Sequence, residues 1–578
     1  MPSTSAPAPV VRLIPELADF AARRHADAPF LLRFTPTGWQ GATFRQAATA
    51  MHAYSAWLIA EGVRPGDRVA IQGENRPELA LAYLAVLDAG AVLVPMDAQL
   101  GETEVGEILA TAGVTLAIAS LRHLPLMRAV RDTRIPALRI VALEGSTEGP
   151  SLADALARFP AAEPRPLAGS PDDLAVLVFT SGTTGHAKGV MLSHANLLSN
   201  VEGVVQTFEF GAGDRFLSVL PLHHTFEFTG GLLCPMRAGA SVAYARGLKS
   251  NELREDLSTS GATILLGVPL LYEKLLGALH RGIDEAPFAR RWLVRALLAG
   301  SRIARVLTGA RPGRAWLRSV RERAGLDTLR LFVSGAAPLP SELFWAYTDF
   351  GWPVLEGYGL TECSPVVAAN RPHRPRPGAV GWPLVGVEVR IADPDAEGNG
   401  EITVRGPNVM LGYYGNPAAT RDVLHDGWFA TGDLGRFTDD GRVRITGRLK
   451  NMIATAAGKK IYPEEVEAQL AGSPYIAEIV VVGGRDARTG REEVHAHVVP
   501  NLSALEALAG TSHVAFDDAF VERVLRREID GRSQHLAPYK HVKRVIVRRE
   551  EFPKTTTGKI RRHGLGGDAD APRASAVA

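Results

Sequence analysis

Cysteine is nearly absent: Cys234 and Cys363 are the only two in 578 residues, far apart and at no metal-ligand spacing. This excludes a disulfide framework and fits a reducing compartment, with both thiols acting as small buried hydrophobes. Neither charge sign dominates, since 64 basic and 62 acidic side chains leave a formal net charge of +2. A dedicated nucleic-acid binder would carry a stronger basic excess, so that class is set aside. The stretch Met1 to Val10 is rich in Pro, Ala and Ser and lacks the charged-then-apolar pattern of a signal peptide. Long apolar runs are scarce. The one from Leu79 to Met96 is broken by Asp88 and Gly90 and contains Val92-Leu93-Val94-Pro95. It reads as a buried helix followed by a buried strand rather than a membrane span. No long internal repeat is present.

What is present is length and alternation. A chain of 578 residues, 46% hydrophobic, exceeds one simple core and predicts two or more domains. Strand-length apolar runs at Val69-Ala70-Ile71, Val92-Leu93-Val94, Leu174 to Phe179 and Leu331-Phe332-Val333 alternate with helical stretches. This predicts an α/β fold with layered, mostly parallel sheets and helices in a large N-terminal domain of several subdomains. Ligands then gather at loops following the carboxyl ends of strands. Near Gly447-Arg448-Leu449-Lys450 the pattern changes to a compact α+β one. It has a helix from Pro463 to Leu470, strands at Ile479 to Val482 and Val494 to Val499, a helix around Phe520 to Ile529 and a strand at Val545 to Val547. The expected division is 1–447, a smaller C-terminal domain at 448–563, and a disordered Gly/Ala/Asp-rich tail at 564–578.

The most informative segment runs Phe179-Thr180-Ser181-Gly182-Thr183-Thr184-Gly185-His186-Ala187-Lys188-Gly189-Val190. A buried strand leads into it, and its glycines let successive N–H groups converge on an anion. Hydroxyls of Thr180, Ser181, Thr183 and Thr184 can donate to phosphate oxygens, and Lys188 adds positive charge. The glycine spacing fits neither the Walker motif nor a dinucleotide fingerprint. Six further segments follow in order: Leu220-Pro221-Leu222-His223-His224, Ser334-Gly335-Ala336-Ala337-Pro338, Glu356-Gly357-Tyr358-Gly359-Leu360-Thr361-Glu362, Thr431-Gly432-Asp433, Gly447-Arg448-Leu449-Lys450 and Phe552-Pro553-Lys554-Thr555-Thr556-Thr557-Gly558-Lys559. Together these resemble the adenylate-forming (AMP-binding) superfamily of acyl-CoA synthetases, peptide-synthetase adenylation domains and luciferases, over roughly residues 40 to 562.

The resemblance implies ATP-dependent activation of a carboxylic acid to an acyl-adenylate, then transfer to coenzyme A, with ATP, CoA and Mg²⁺ involved. It implies Ser181, Gly182, Thr183, Thr184, Gly185 and Lys188 as the phosphate cradle. Tyr358, flanked by Gly357 and Gly359, would stack on adenine, with Gly335, Ala336 and Ala337 walling the base and Glu356 and Leu360 completing the pocket. Thr361 would meet phosphate, and Glu362 with Thr180 would meet the metal, as a single carboxylate plus phosphates suits Mg²⁺. Asp433 and Arg448 resemble a ribose clamp. Lys559 matches the lysine that stabilises charge during adenylation, and His224 the histidine near the acyl carbonyl, with His223 able to exchange roles. Lys450 is implied as the hinge about which a mobile C-terminal domain rotates between half-reactions. Gly458 would leave room for a pantetheine arm.

His186-Ala187 departs from the frequent Lys-Pro, and Asn451 stands where many members have an acid. The Lys450-Asn451 pair, the turn Ala456 to Lys460 and Pro221 to Glu227 resemble the long-chain fatty acid branch most closely. A medium- or long-chain fatty acid is therefore the expected substrate. A carrier-protein phosphopantetheine as acceptor and an aryl or short-chain acid as substrate stay open. A non-catalytic nucleotide binder on the same fold is the remaining class, disfavoured by the intact Thr361, Glu362, Asp433 and Lys559. The expected location is cytoplasmic, with a homodimer and a peripheral contact at the inner membrane face both open, although no amphipathic anchor stands out in the sequence.

Overall fold

The computed structural model describes residues 11–145, 149–160, 162–165, 169–180, 188–309, 311–454, 460–485, 492–534, 536–554, 560 and 562. The expected alternation becomes two large sheets. One has seven strands among the described residues. Its parallel part contains Leu174–Thr180, Val92–Met96, Arg68–Gln72, Leu116–Ala119 and Arg139–Ala142, and Lys188–Ser193 and Gly412–Tyr413 extend it antiparallel. The other runs through Trp382–Pro383, Val366–Ala369, Val354–Gly359, Leu331–Ser334, Ile264–Gly267, Arg215–Ser218, Ser241–Tyr244, Pro29–Thr35 and Gly38–Thr43. A third, antiparallel sheet contains Glu388–Ala392, Gly400–Arg405, Trp428–Phe437 and Val443–Arg448.

The apolar run at Leu79 resolves as the sequence predicts, into a helix Pro77–Asp88 and a strand Val92–Met96. Proline at the first helical turn costs no hydrogen bond there. Every residue from Leu79 to Asp88 is buried, which explains a helix with no polar face. The buried charge of that helix, Asp88, is accommodated by pairing. His52, from the helix Phe44–Ala60, holds Asp88 Oδ2 at 3.3 Å through Nδ1 and Asp19 Oδ1 at 2.8 Å through Nε2, and Asp19 lies in the helix Ile14–Arg24. Three helices are thus pinned by one imidazole.

From residue 453 onward the chain builds a separate core, in which Val466, Leu470, Val481, Val498, Leu525 and Ile529 pack together. Helices Pro463–Leu470 and Asp518–Ser533 lie with the strands Ile476–Arg485, Glu492–Pro500 and Arg544–Val547. Glu464 and Glu465 sit in the first turn of their helix, where its dipole favours negative charge. The two parts meet where the Asn451 amide donates to Glu464 Oε1 at 2.5 Å. The expected tail at 564–578 lies outside the described residues.

Among the described residues no helix is long and apolar enough to cross a membrane. No amphipathic anchor stands out in the sequence, yet one helix carries an exposed apolar stripe. The helix Phe288–Thr308 buries only Val294 and Ser301 fully, yet leaves Phe288, Trp292, Ile303, Val306 and Leu307 in solvent. Its five arginines and Ser301 gather on one half of the helical projection, and it is the other, apolar half that the fold leaves in solvent.

Burial alone would lower His52, but the hydrogen bonds and charges of Asp19 and Asp88 raise it to about 9 from 6.5. A raised histidine contributes stability that is complete below pH 6.5 and is lost as pH climbs through 9. His52→Leu should therefore flatten the fall in thermal stability between these values and cost roughly 2–3 kcal/mol at pH 6. Melting curves across that range check it; a wild-type slope retained in the variant contradicts it.

Candidate active site

Leu331–Ser334 and Val354–Gly359 are parallel neighbours, with Ser334 opposite Glu356. The loop after the first strand starts with Gly335, whose N–H donates to Gly267 O at 3.1 Å. Ala336 adopts a φ of 68°, a conformation that costs a non-glycine residue about 1 kcal/mol and needs external support. Glu356 supplies it: its buried carboxylate accepts the Leu339 N–H at 3.0 Å. Burial pushes Glu356 up to about 7, against the pull of that bond. Glu356 thus ties down the loop that follows Gly335–Ala337, at Leu339. A Cβ on Gly335 would approach the Phe226 ring to 3.0 Å, so a small residue here preserves the wall's shape.

The strand that begins at Val354 continues through Gly359 and pairs antiparallel with Val366–Ala369. Gly359 makes this possible, because a Cβ there would lie 1.9 Å from Pro365 O. The Leu360 N–H then donates to Pro365 O at 2.9 Å, and Thr361–Cys363 form a 3₁₀ turn. A Cβ on Gly357 would meet Ala368 O at 3.7 Å, an ordinary contact, and Tyr358 is half-buried.

Tyr358 leads to the central contact. Its hydroxyl donates to Asp433 Oδ2 at 2.8 Å, while Arg448 Nε lies 2.7 Å from Asp433 Oδ1. Asp433 does not sit in a turn, as a Gly-Asp pair usually does. It lies within the strand Trp428–Phe437, directly opposite Arg448 on Val443–Arg448. Asp433 is 3% exposed, whereas the Arg448 side chain is 43% exposed, so the acid is anchored and the guanidinium remains reachable. Lys450 follows in a 3₁₀ turn, its pKa lowered by burial and then by the Arg448 charge.

A second polar chain lies alongside. Thr180 and Lys188 are register partners at the ends of two paired strands. Lys188 Nζ stands 4.9 Å over the Tyr413 ring, and the Tyr413 hydroxyl donates to Glu362 Oε1 at 3.0 Å. The Met410 N–H donates to Glu362 O at 2.8 Å. Asn408 fixes the turn after Glu362 by donating to Cys363 O at 3.0 Å. Tyr413 escaped the sequence reading because an isolated Gly-Tyr-Tyr carries no chemical signature of its own. Among the described residues no group of three His, Cys, Asp or Glu side chains is placed to hold a metal.

His223 and His224 pack at 4.1 Å between ring centroids. His223 is the inner of the two, with Nε2 3.5 Å from Asp97 Oδ2 and a pKa pulled well down by burial and then by His224. Beyond them Glu227 is fully buried, and burial pushes it up to about 8 against a pull from Ser218. Cys234 and Cys363 are both buried free thiols. Ser181, Gly182, Thr183, Thr184, Gly185, Gly458 and Lys559 lie outside the described residues.

Comparison with known proteins agrees with this arrangement. The family model "AMP-binding enzyme" matches residues 18–414, and "AMP-binding enzyme C-terminal domain" matches 465–559. A feruloyl-CoA synthase from Amycolatopsis sp is 32% identical over 475 residues, 80% of this chain and 84% of the relative. The long-chain-fatty-acid–CoA ligase FadD15 of Mycobacterium tuberculosis is 33% identical over 464 residues, 77% of this chain and 76% of the relative. Among solved structures, ATP-bound MatB from Rhodopseudomonas palustris superposes with a TM-score of 0.75 at 28% identity, covering 95% of this chain and 98% of that one. The chain belongs to the AMP-binding enzyme family, and its relatives are acid–CoA ligases.

Proposed function

We propose that this adenylate-forming acyl-CoA ligase activates a medium- or long-chain fatty acid, with release of pyrophosphate and then of AMP. The observation that carries the nucleotide half is the carboxylate of Asp433 held between Tyr358 and Arg448. Each of its oxygens has lone pairs beyond those used by these two donors, available to ribose hydroxyls. The Tyr358 ring would stack on adenine against the Gly335–Ala337 wall. Burial and the neighbouring Asp433 raise the phenol's pKa, so it stays a neutral donor.

Thr361 and Lys188, with the loop Ser181–Gly185, would bind the phosphates. Glu362 fits Mg²⁺ by its donor chemistry: one carboxylate, anchored by Tyr413, with Thr180 nearby in the fold and phosphate oxygens and water to complete an oxygen shell. Bound there, the ion would neutralise phosphate charge. The substrate carboxylate attacks the α-phosphorus and the bond to pyrophosphate breaks; Lys559 would stabilise the charge that develops. A thiolate then attacks the acyl carbonyl, beside His224, and AMP departs. In this reading, division at 447/448 and hinging at Lys450 let Lys559 withdraw between steps while Gly458 admits the pantetheine arm.

Support for an apolar acid comes from the wall beyond His224. Phe226 stands against Gly335, and Leu266 against Gly230; such a surface suits a hydrocarbon chain better than a second carboxylate. FadD15 is named for long-chain acids. The feruloyl-CoA synthase match keeps an aryl acid as the second reading.

ATP–pyrophosphate exchange across acids decides between them. Octanoate to palmitate should support exchange at least about tenfold better than ferulate or benzoate, and CoA should accept the acyl group. Higher activity with ferulate transfers the assignment to aryl acids, and exchange without acceptance by CoA assigns the acceptor to a carrier protein.

Lys559→Ala should lower exchange by about 10²–10³ while sparing thioester formation from supplied acyl-adenylate. Equal loss in both assays would refute the hinged division of labour.

A further inference from the structure

The helix Phe288–Thr308 presents its inner stripe to the protein and a second apolar stripe to solvent. On the inner side the Ser301 hydroxyl donates to Asp349 O at 2.9 Å. Arg305 Nε lies 2.6 Å from Asp349 Oδ1, and its guanidinium stands 4.2 Å over the Trp345 ring. That face is satisfied by the helix Ser341–Phe350. At 100° per residue, Phe288, Trp292, Ile303 and Val306 fall on the opposite side, with Leu307 beside them. Trp292 is 64% exposed and Leu307 77%. Trp316, from the next short helix, joins the patch: its ring would lie 3.2 Å from a Cβ on Gly300. Scattered exposed apolar residues need no explanation, but six large ones gathered on one face do.

Charge indicates the occupant. Between Glu285 and Glu322 the chain has nine arginines and no acidic residue. Arg295 and Arg302 border one edge of the apolar stripe on the helical projection, and Arg295 also pairs with Asp284 at 2.8 Å. Five arginines within the helix forbid it from crossing a bilayer. Tryptophan, phenylalanine and leucine on one face, bordered by arginine, are what an interfacial helix requires. We propose that this face docks the enzyme on an anionic lipid surface, with the helix lying in the plane of the headgroups. The supporting helix Ser341–Phe350 begins just after the Gly335–Pro338 loop, so the docked face lies one helix layer from the nucleotide wall. The proposal is independent of which acid is activated.

Vesicle flotation of the full chain tests it, using equimolar phosphatidylglycerol and phosphatidylcholine against phosphatidylcholine alone. The wild type should float with the anionic vesicles and be released by salt. Trp292→Ser with Leu307→Ser, and separately Arg295→Glu with Arg302→Glu, should each weaken partitioning by at least about tenfold. Melting temperature reports their folding. Should either pair unfold, quenching of wild-type tryptophan fluorescence by brominated anionic lipid decides the same question. No flotation at low salt, unchanged partitioning in the folded variants, or no quenching overturns the proposal. So does a dimer in sedimentation velocity that the apolar pair dissociates, because the face then belongs to a second copy of the chain.

Discussion

A carboxylate almost removed from water must be paired, and much of the candidate site follows from how Asp433 meets that requirement. Tyr358 donates from an inner strand of the larger sheet and Arg448 from the neighbouring strand of the antiparallel sheet. Removing either donor would leave a buried charge short of a partner, a change that typically costs several kcal/mol. The Tyr358 bond therefore ties one sheet to the other, the Arg448 bond braces Asp433 within its own sheet, and the carboxylate keeps lone pairs unused by either donor.

A second chain of contacts lies alongside the first. Lys188, Tyr413 and Glu362 connect the seven-stranded sheet to the 3₁₀ turn after Gly359. A cation, a ring and a carboxylate alternate, so positive and negative charge are held apart over one short span. A triphosphate with a divalent ion needs that alternation. Glu356 braces the segment after Ala336 by accepting the Leu339 N–H.

Much of this was legible in the residues. The buried helix Pro77–Asp88 and its following strand were readable because no polar face interrupts the run, and Gly-Thr-rich and Glu-Gly-Tyr-Gly segments each carry their chemistry locally. The register of Asp433 with Arg448 was not readable, since a Gly-Asp pair looks like a turn and strand pairing depends on the whole antiparallel sheet. Nor was the continuation of the strand through Gly359, where a close approach to Pro365 O, and not propensity, sets the boundary. Tyr413 acts only through partners far away in sequence. The helix Phe288–Thr308 gathers its arginines and Ser301 on one half of its projection, and the pattern alone could not say that the apolar half is the one facing water.

The account stands or falls on whether the Asp433 carboxylate reads ribose hydroxyls. The direct measurement is binding of ATP and of 2′,3′-dideoxy-ATP to wild-type protein and to Asp433→Ala by calorimetry. The account predicts at least about tenfold tighter binding of ATP than of the dideoxy analogue to the wild type, and no preference in the variant. Equal affinity of the wild type for both nucleotides would contradict it.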